Sequence, residues 1–159
     1  MKKIPRASCR SAASTASTRT APSISSTISC RSPTGWRFSD GKTLYVAVSD
    51  PARAIWVAYD VDSRGNASNR RVFFDATAAV QAGKKGLPDG LKVDVDGNLF
   101  ATGPGGVYVF TPAGKHLGTI VTGEPTANCA FGDDGHTLYM TANDKLMRIR
   151  LKTRGAVGK

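Results

Sequence analysis

The sequence has no acidic residue before Asp40, no Phe, Tyr or Trp before Trp36, and only three cysteines, Cys9, Cys30 and Cys129, in 159 residues. Each shortage excludes something. An odd cysteine count, with two in the N-terminal tract, gives neither a disulfide framework nor the paired spacing of a zinc site. No apolar run reaches the roughly 20 residues a membrane-spanning helix needs, so no membrane partner is expected. Met1-Lys2-Lys3 starts like a secretory signal, but no apolar stretch follows it. The expectation is a cytoplasmic or periplasmic protein, with no signal peptide in this chain. The Arg/Ser/Thr-rich tract also shares the composition of an organellar transit peptide, as any Ser/Arg-rich sequence does.

The formal charge of +10 is unevenly placed. Seven of the 22 basic residues lie ahead of Asp40, so the remainder carries 15 basic against 12 acidic residues. Nucleic-acid binding calls for basic residues interleaved with stacking aromatics, and the basic tract contains no aromatic before Trp36. No nucleic-acid partner is expected.

Several reactive constellations are missing as well. There is no G-x-S-x-G elbow for a serine hydrolase. Gly103-Pro104-Gly105-Gly106 is not followed by Gly-Lys-Ser/Thr, so it reads as a turn and not as a phosphate loop. Asp94-Val95-Asp96-Gly97-Asn98 lacks the later acidic ligands of a calcium-binding helical loop and reads as a hairpin turn. His116 and His136 have no partner at metal-ligand spacing and are expected at the surface. Cys129 lies in an apolar run and is expected to be buried and inert.

What is present begins at Ser39. Residues 1–38 are Ser, Thr, Ala and Arg with little apolar periodicity, which predicts a disordered or irregular N-terminal tail. Residues 39–155 read as an all-β domain of short strands punctuated by Gly, Asp, Asn and Pro turns, with one brief helical or loop crossing in Ala76-Thr77-Ala78-Ala79-Val80-Gln81-Ala82-Gly83. One word recurs three times: Asp40-Gly41-Lys42-Thr43-Leu44-Tyr45, Asp96-Gly97-Asn98-Leu99-Phe100, and Asp134-Gly135-His136-Thr137-Leu138-Tyr139. A repeated turn followed by Leu-aromatic predicts the blades of a β-propeller, with a β-sandwich as the competing architecture.

The stretch Gly86–Gly103 is the centre of this pattern. Pro88-Asp89-Gly90 is a turn carrying a carboxylate, followed by a hairpin about Asp96-Gly97-Asn98. Taken alone, Asp89 braces its own turn or serves as a metal ligand or general base displayed on a rigid scaffold.

The words SDGKTLYVA, SNRRVFFD, GLPDGLKVDVDGNLFATGPGGVYVFTPAGKHLG and ANCAFGDDGHTLYMTA, in this order, resemble the senescence marker protein/regucalcin/gluconolactonase family. The resemblance covers Ser39 to about Arg154 and implies a partial six-bladed β-propeller of about three blades. It further implies a metal-dependent sugar-lactone hydrolase with a small-molecule sugar lactone as partner and a divalent cation (Ca, Mg, Mn or Zn) at the channel mouth. In the family the cation is held by a first-blade Glu, an Asn in Pro-Asn-Gly and the Asp of Pro-Asp-Gly. The last maps onto Asp89, which thereby becomes the candidate metal ligand and catalytic base. The Asn position maps onto Thr34, and the Glu has no counterpart in this sequence. Asn128 falls in a family word near the channel mouth and becomes a candidate substrate contact, with a structural turn role as the alternative. A hard cation prefers oxygen donors, polarises a lactone carbonyl and stabilises the oxyanion formed by attacking water.

Thr34 and the missing Glu give the opposing expectation: a non-catalytic propeller fragment or binding module without a complete metal site. The abrupt change at Ser39 has one further implication, that residues before it are read in a shifted frame. Let each shifted codon take the last base of one codon and the first two of the next. Thr34–Phe38 can then encode Asn-Gly-Leu-Ala-Phe, the family's continuation after Pro, and Ala12–Ala21 can encode Gly-Gly-Val-Tyr-Arg-Leu-Asp-Pro-Asp-Gly. The sequence leaves the preferred lactone, the native metal and the oligomeric state open.

Overall fold

A computed structural model describes the backbone of residues 33–38 and 42–156 and the side chains from Lys42 to Ala156. The irregular tail expected of residues 1–32 and the first turn of the repeated word, Asp40-Gly41, lie outside the described residues.

Eleven strands and one short helix follow in order: β1 (Pro33–Phe38), β2 (Thr43–Val48), β3 (Ile55–Val61), β4 (Ala67–Asp75), α1 (Thr77–Gln81), β5 (Leu91–Val93), β6 (Leu99–Gly103), β7 (Gly106–Phe110), β8 (His116–Val121), β9 (Thr126–Gly132), β10 (Thr137–Ala142) and β11 (Lys145–Arg150). They form three antiparallel meanders, β1-β2-β3-β4, β5-β6-β7-β8 and β9-β10-β11. Each strand pairs with its sequence neighbour, as tight turns between short β-branched and aromatic runs require.

The repeated word now has a place. Leu44-Tyr45, Leu99-Phe100 and Leu138-Tyr139 all lie on the second strand of their sheets, β2, β6 and β10. Their leucines are buried in each case. In the second and third sheets the turn ahead of the word joins the first strand to the second. In the middle sheet Asp94 N–H donates to the Asn98 carbonyl at 3.0 Å, and Gly97 takes φ +80°, a backbone state that strongly favours glycine.

The three sheets stack face to face. Between the first and second lie Tyr45, Trp56, Leu91, Leu99, Tyr108 and Phe110, with Phe73 and Phe74 packed against them. Several rings meet edge-on, Trp56 with Phe110 at 5.7 Å between centroids and Tyr45 with Phe73 at 4.9 Å, while Tyr108 stacks on Phe110 at 6.0 Å. Between the second and third lie Phe100, Val107, Cys129, Leu138 and Met140. The middle strands β2, β3, β6 and β7 are buried along most of their length, while the outermost strands β4, β8 and β11 hold no buried residue. Radial sheets with buried middle strands and an exposed outer rim make this an all-β, partial propeller of three blades.

The first strand begins earlier than the sequence pattern indicates. Pro33–Phe38 falls within the stretch expected to be irregular, yet it pairs antiparallel with β2 from Pro33↔Val48 to Phe38↔Leu44. A register irregularity between Pro33 and Gly35 and the lack of alternation in Pro-Thr-Gly-Trp-Arg-Phe hide it, because the pairing and not local pattern creates this strand. Among the described residues, no helix is long and apolar enough to cross a membrane.

Candidate functional site

β1, β5 and β9 are the first strands of the three sheets. β1 lies against β5, and β5 against β9. The three residues singled out in the sequence stand at the heads of these strands. Thr34 is the second residue of β1, Asp89 lies two residues ahead of β5, and Asn128 is the third residue of β9. The side chain of Thr34 lies outside the described residues.

The Asp89 turn is held by its neighbours. Asp89 N–H donates to the Thr102 carbonyl at 3.2 Å, Thr102 N–H to the Gly90 carbonyl at 2.9 Å, and Gly90 N–H to the Ala127 carbonyl at 3.0 Å. The Thr102 hydroxyl is within 3.2 Å of both the Gly90 and the Ala127 carbonyls. Thr102 is fully buried, so one threonine on β6 ties the turn ahead of β5 to β9. Sequence reasoning missed it. Its only signal is a hydroxyl in the otherwise apolar run Leu99-Phe100-Ala101-Thr102.

Asp89 itself is half-buried and lines a cleft of about 460 Å³ with Ser49, Pro51, Val80, Lys84, Leu87 and Pro125 among its walls. The volume is that of an ordinary small-molecule pocket, and carbon dominates its lining. Lys84 is the second residue that sequence reasoning missed; it follows α1 in an unremarkable Gly-Lys-Lys run.

Asn128 is beside this turn but faces a different space. Its Oδ1 accepts from Cys129 N–H at 2.9 Å, and its own N–H donates to Thr141 Oγ1 at 3.1 Å. Its side chain lines a neighbouring hollow of about 330 Å³ with Lys92, Tyr139, Thr141 and Leu146. Cys129 is buried, and desolvation pushes its thiol up to about 12, against a small opposing pull from Lys92. A thiol so held is no nucleophile at neutral pH.

The donor set for a hard cation is thin. Among the described residues, no three His, Cys, Asp or Glu side chains converge, and Asn128 Oδ1 is already engaged by a backbone N–H. A cation such as Ca²⁺ takes six to eight oxygens. The described residues offer it one carboxylate in the cleft, and they do not by themselves complete a site. Three other acidic groups near these strands are used elsewhere. Asp94 is buried and accepts from Asp96 N–H, Asn98 N–H, Asn98 Nδ2 and Thr153 Oγ1 at 2.8–3.0 Å. Glu124 is held below the usual carboxylate range by its hydrogen bond to Lys145, and Asp134 by its bond to Arg150.

Comparison with known proteins agrees with this architecture. The model of the SMP-30/Gluconolactonase/LRE-like region matches residues 12–144, beginning inside the acid-free tract. A gluconolactonase of Zymomonas mobilis is 42% identical over 134 residues, which are 77% of this chain and 36% of that protein. The solved structure of a gluconolactonase from Xanthomonas campestris is 30% identical with a TM-score of 0.62, covering 78% of this chain and 38% of that one. A calcium-binding regucalcin of Agrobacterium tumefaciens shares the fold at 22% identity and a TM-score of 0.62, covering 79% and 48%. The chain thus spans between about a third and a half of each of these relatives, and it belongs to the SMP-30/gluconolactonase/LRE-like family.

Proposed function

We propose that this chain carries part of the substrate cleft of a sugar-lactone hydrolase, with Asp89 as the group that takes a proton from the attacking water. The observation that supports this most is a carboxylate fixed at the head of an inner strand on the wall of a largely apolar cleft. A rigid backbone around the base is what general-base catalysis needs, since a small misplacement costs rate steeply. Water oxygen bonds to the lactone carbonyl carbon while its proton passes to Asp89. Collapse of the tetrahedral adduct then breaks the bond to the ring oxygen, which leaves with the proton returned by Asp89. The product is a hydroxy acid.

The cation that family resemblance implies is not routed into this scheme, because the described donors do not complete a site for it. For the same reason lactonase activity is impaired in this chain. That thin donor set also favours the second reading, a propeller piece that binds without catalysing. The shifted frame ahead of Ser39 belongs to the same proposal: it would place Asn at the Thr34 position.

Opening of D-glucono-1,5-lactone by the chain and by Asp89→Asn, with and without added Ca²⁺, Mn²⁺ or Zn²⁺, tests the reading. The expected outcome is weak turnover that falls at least about tenfold in Asp89→Asn. Turnover that ignores Asp89 removes it from the mechanism. Isothermal titration is expected to give cation affinity no tighter than about millimolar, improved by Thr34→Asn. Tight binding of Ca²⁺ or Zn²⁺ by the unaltered chain overturns the incomplete site. Sequencing the gene from well upstream of Met1 through Ser39 tests the frame directly.

A further inference from the structure

We propose that Lys84 is the anion-recognising group of the Asp89 cleft, so that its preferred ligands are polyhydroxylated acids bearing a carboxylate or phosphate. This rests on the sugar-lactone reading above and adds the charge of the ligand to it. Lys84 lines the same cleft as Asp89.

Its position is built and not incidental. Gly83 leaves α1 at φ +80°, Lys84 N–H donates back to the Ala79 carbonyl at 3.1 Å, and Gly105 N–H donates to the Lys85 carbonyl at 2.8 Å. The segment is therefore pinned at one end to the helix and at the other to the β6–β7 turn. Gly105, at φ +93°, has no side chain, and the stem of Lys84 fills that space. A Cβ placed there would lie 3.3 Å from Lys84 Cδ, and its three nearest neighbours are all stem atoms of Lys84. The stem thus lies along the turn.

The ammonium group has no carboxylate partner among the described residues. Ion pairs among the described residues include Arg71 with Asp60, Lys145 with Glu124 and Arg150 with Asp134. Much of the cleft wall is Pro51, Val80, Leu87 and Pro125, which offer no anion to neutralise it. Lys84 is exposed to solvent where it lines the cleft, so it holds an oxyanion by a charge-assisted hydrogen bond that salt screens. The ligand chemistry follows. Ring opening of a neutral lactone creates a carboxylate, and a phosphorylated sugar carries an anion before the ring opens. Either presents the same oxyanion to Lys84, while Asp89 disfavours a second anion at its own end. The ligand is thereby oriented, anion toward Lys84 and hydroxyls or carbonyl toward Asp89.

The test titrates the full chain and Lys84→Met with D-gluconate, glucose 6-phosphate and neutral D-glucose, followed by NMR or calorimetry. Methionine keeps a long apolar stem over Gly105 and removes only the charge, and Lys84→Arg restores the charge. The expected result is gluconate or glucose 6-phosphate binding that weakens about tenfold in Lys84→Met. It should recover in Lys84→Arg and weaken with added NaCl, while D-glucose binds both proteins alike. Loss confined to gluconate identifies the ring-opened carboxylate as the anion, and loss confined to glucose 6-phosphate identifies a substituent. Equal anion affinity in the chain and in Lys84→Met overturns the proposal, as does failure of both anions to bind. The two readings fail separately. Asp89-dependent lactone opening with Lys84-independent gluconate affinity removes only this inference. Lys84-dependent gluconate binding without lactone opening removes only the hydrolase.

Discussion

The side chain of Asn128 occupies the space that a side chain on Gly90 would need: a Cβ built on Gly90 would stand 2.3 Å from Asn128 Oδ1 and 2.8 Å from Asn128 Cα. The second and third sheets meet here, and Gly90 N–H bonds to the Ala127 carbonyl. The glycine beside Asp89 is required by this approach of β9. Gly90→Ala is expected to destabilise the chain by about 1–3 kcal/mol, the usual cost of overpacking, and to displace the Asp89 turn. Because the Asn128 Cα is also too close, adding Asn128→Ala should not rescue it. Urea unfolding of the single and double variants decides this, and full recovery in the double variant would place the conflict in the side chain alone.

Asp94 makes a second prediction. Its buried carboxylate joins its own hairpin turn to Thr153, 59 positions along the chain. Beside it Val95 N–H donates to the Arg154 carbonyl and Ala156 N–H to the Val93 carbonyl, both at 2.9–3.0 Å. Asp94→Ala leaves Asp96 N–H, Asn98 N–H, Asn98 Nδ2 and the Thr153 hydroxyl without their acceptor and should cost about 2–4 kcal/mol. Thr153→Val, which removes one donor, should cost about 1 kcal/mol. Hydrogen exchange should show the amides of Val95 and Ala156 opening early in Asp94→Ala. Protection there equal to that of the parent chain would show that the backbone bonds hold the C-terminal segment without the carboxylate.

The sequence reveals these features unevenly, and the reason is distance along the chain. Leu44-Tyr45, Leu99-Phe100 and Leu138-Tyr139 announce the second strand of each sheet because turn chemistry and the strand preference of aromatic residues are local. Asp89 is legible through its Pro-Asp-Gly turn and the family word around it. β1 is hidden, since it becomes a strand only by pairing with β2. Thr102 reaches the Gly90 carbonyl across 12 positions and that of Ala127 across 25, and nothing local marks either bond. Lys84 enters the cleft only because the β6–β7 turn, some twenty residues on, presents a glycine for its stem.

Cys129 gives a prediction in pH. Its thiol titrates near 12 in the folded chain against an ordinary value of 9.0. Below about pH 9 the thiol is neutral in both states, and its contribution to stability is fully present. Between 9 and 12 the unfolded chain loses the proton while the folded chain keeps it. Stability then falls by at most about 1.4 kcal/mol per pH unit from this group. The advantage of the parent chain over Cys129→Ala should shrink as pH rises through this window, which urea unfolding at several pH values would read. Iodoacetamide at pH 8 should leave the Cys129 peptide unmodified until the chain is unfolded. Rapid labelling of that peptide under native conditions would contradict the burial.

The outer edge of β11 carries the last prediction. The first two sheets have four strands and the third has three, with β11 at its rim. The chain then leaves this edge, since Arg154 and Ala156 bond back to Val95 and Val93 of the second sheet. Among the described residues, none pairs with the far side of β11. An open edge is a template for another strand, and Leu146 on it is 71% exposed. The same strand carries Lys145, Arg148 and Arg150. Antiparallel pairing of two copies would bring these like charges together, so repulsion guards the edge at low salt and weakens as salt screens it. Light scattering should therefore show concentration-dependent association that grows with NaCl. Leu146→Lys should suppress it while changing stability by less than about 0.5 kcal/mol. If Leu146→Lys associates as readily as the parent chain at every salt concentration, the contact lies elsewhere than on β11.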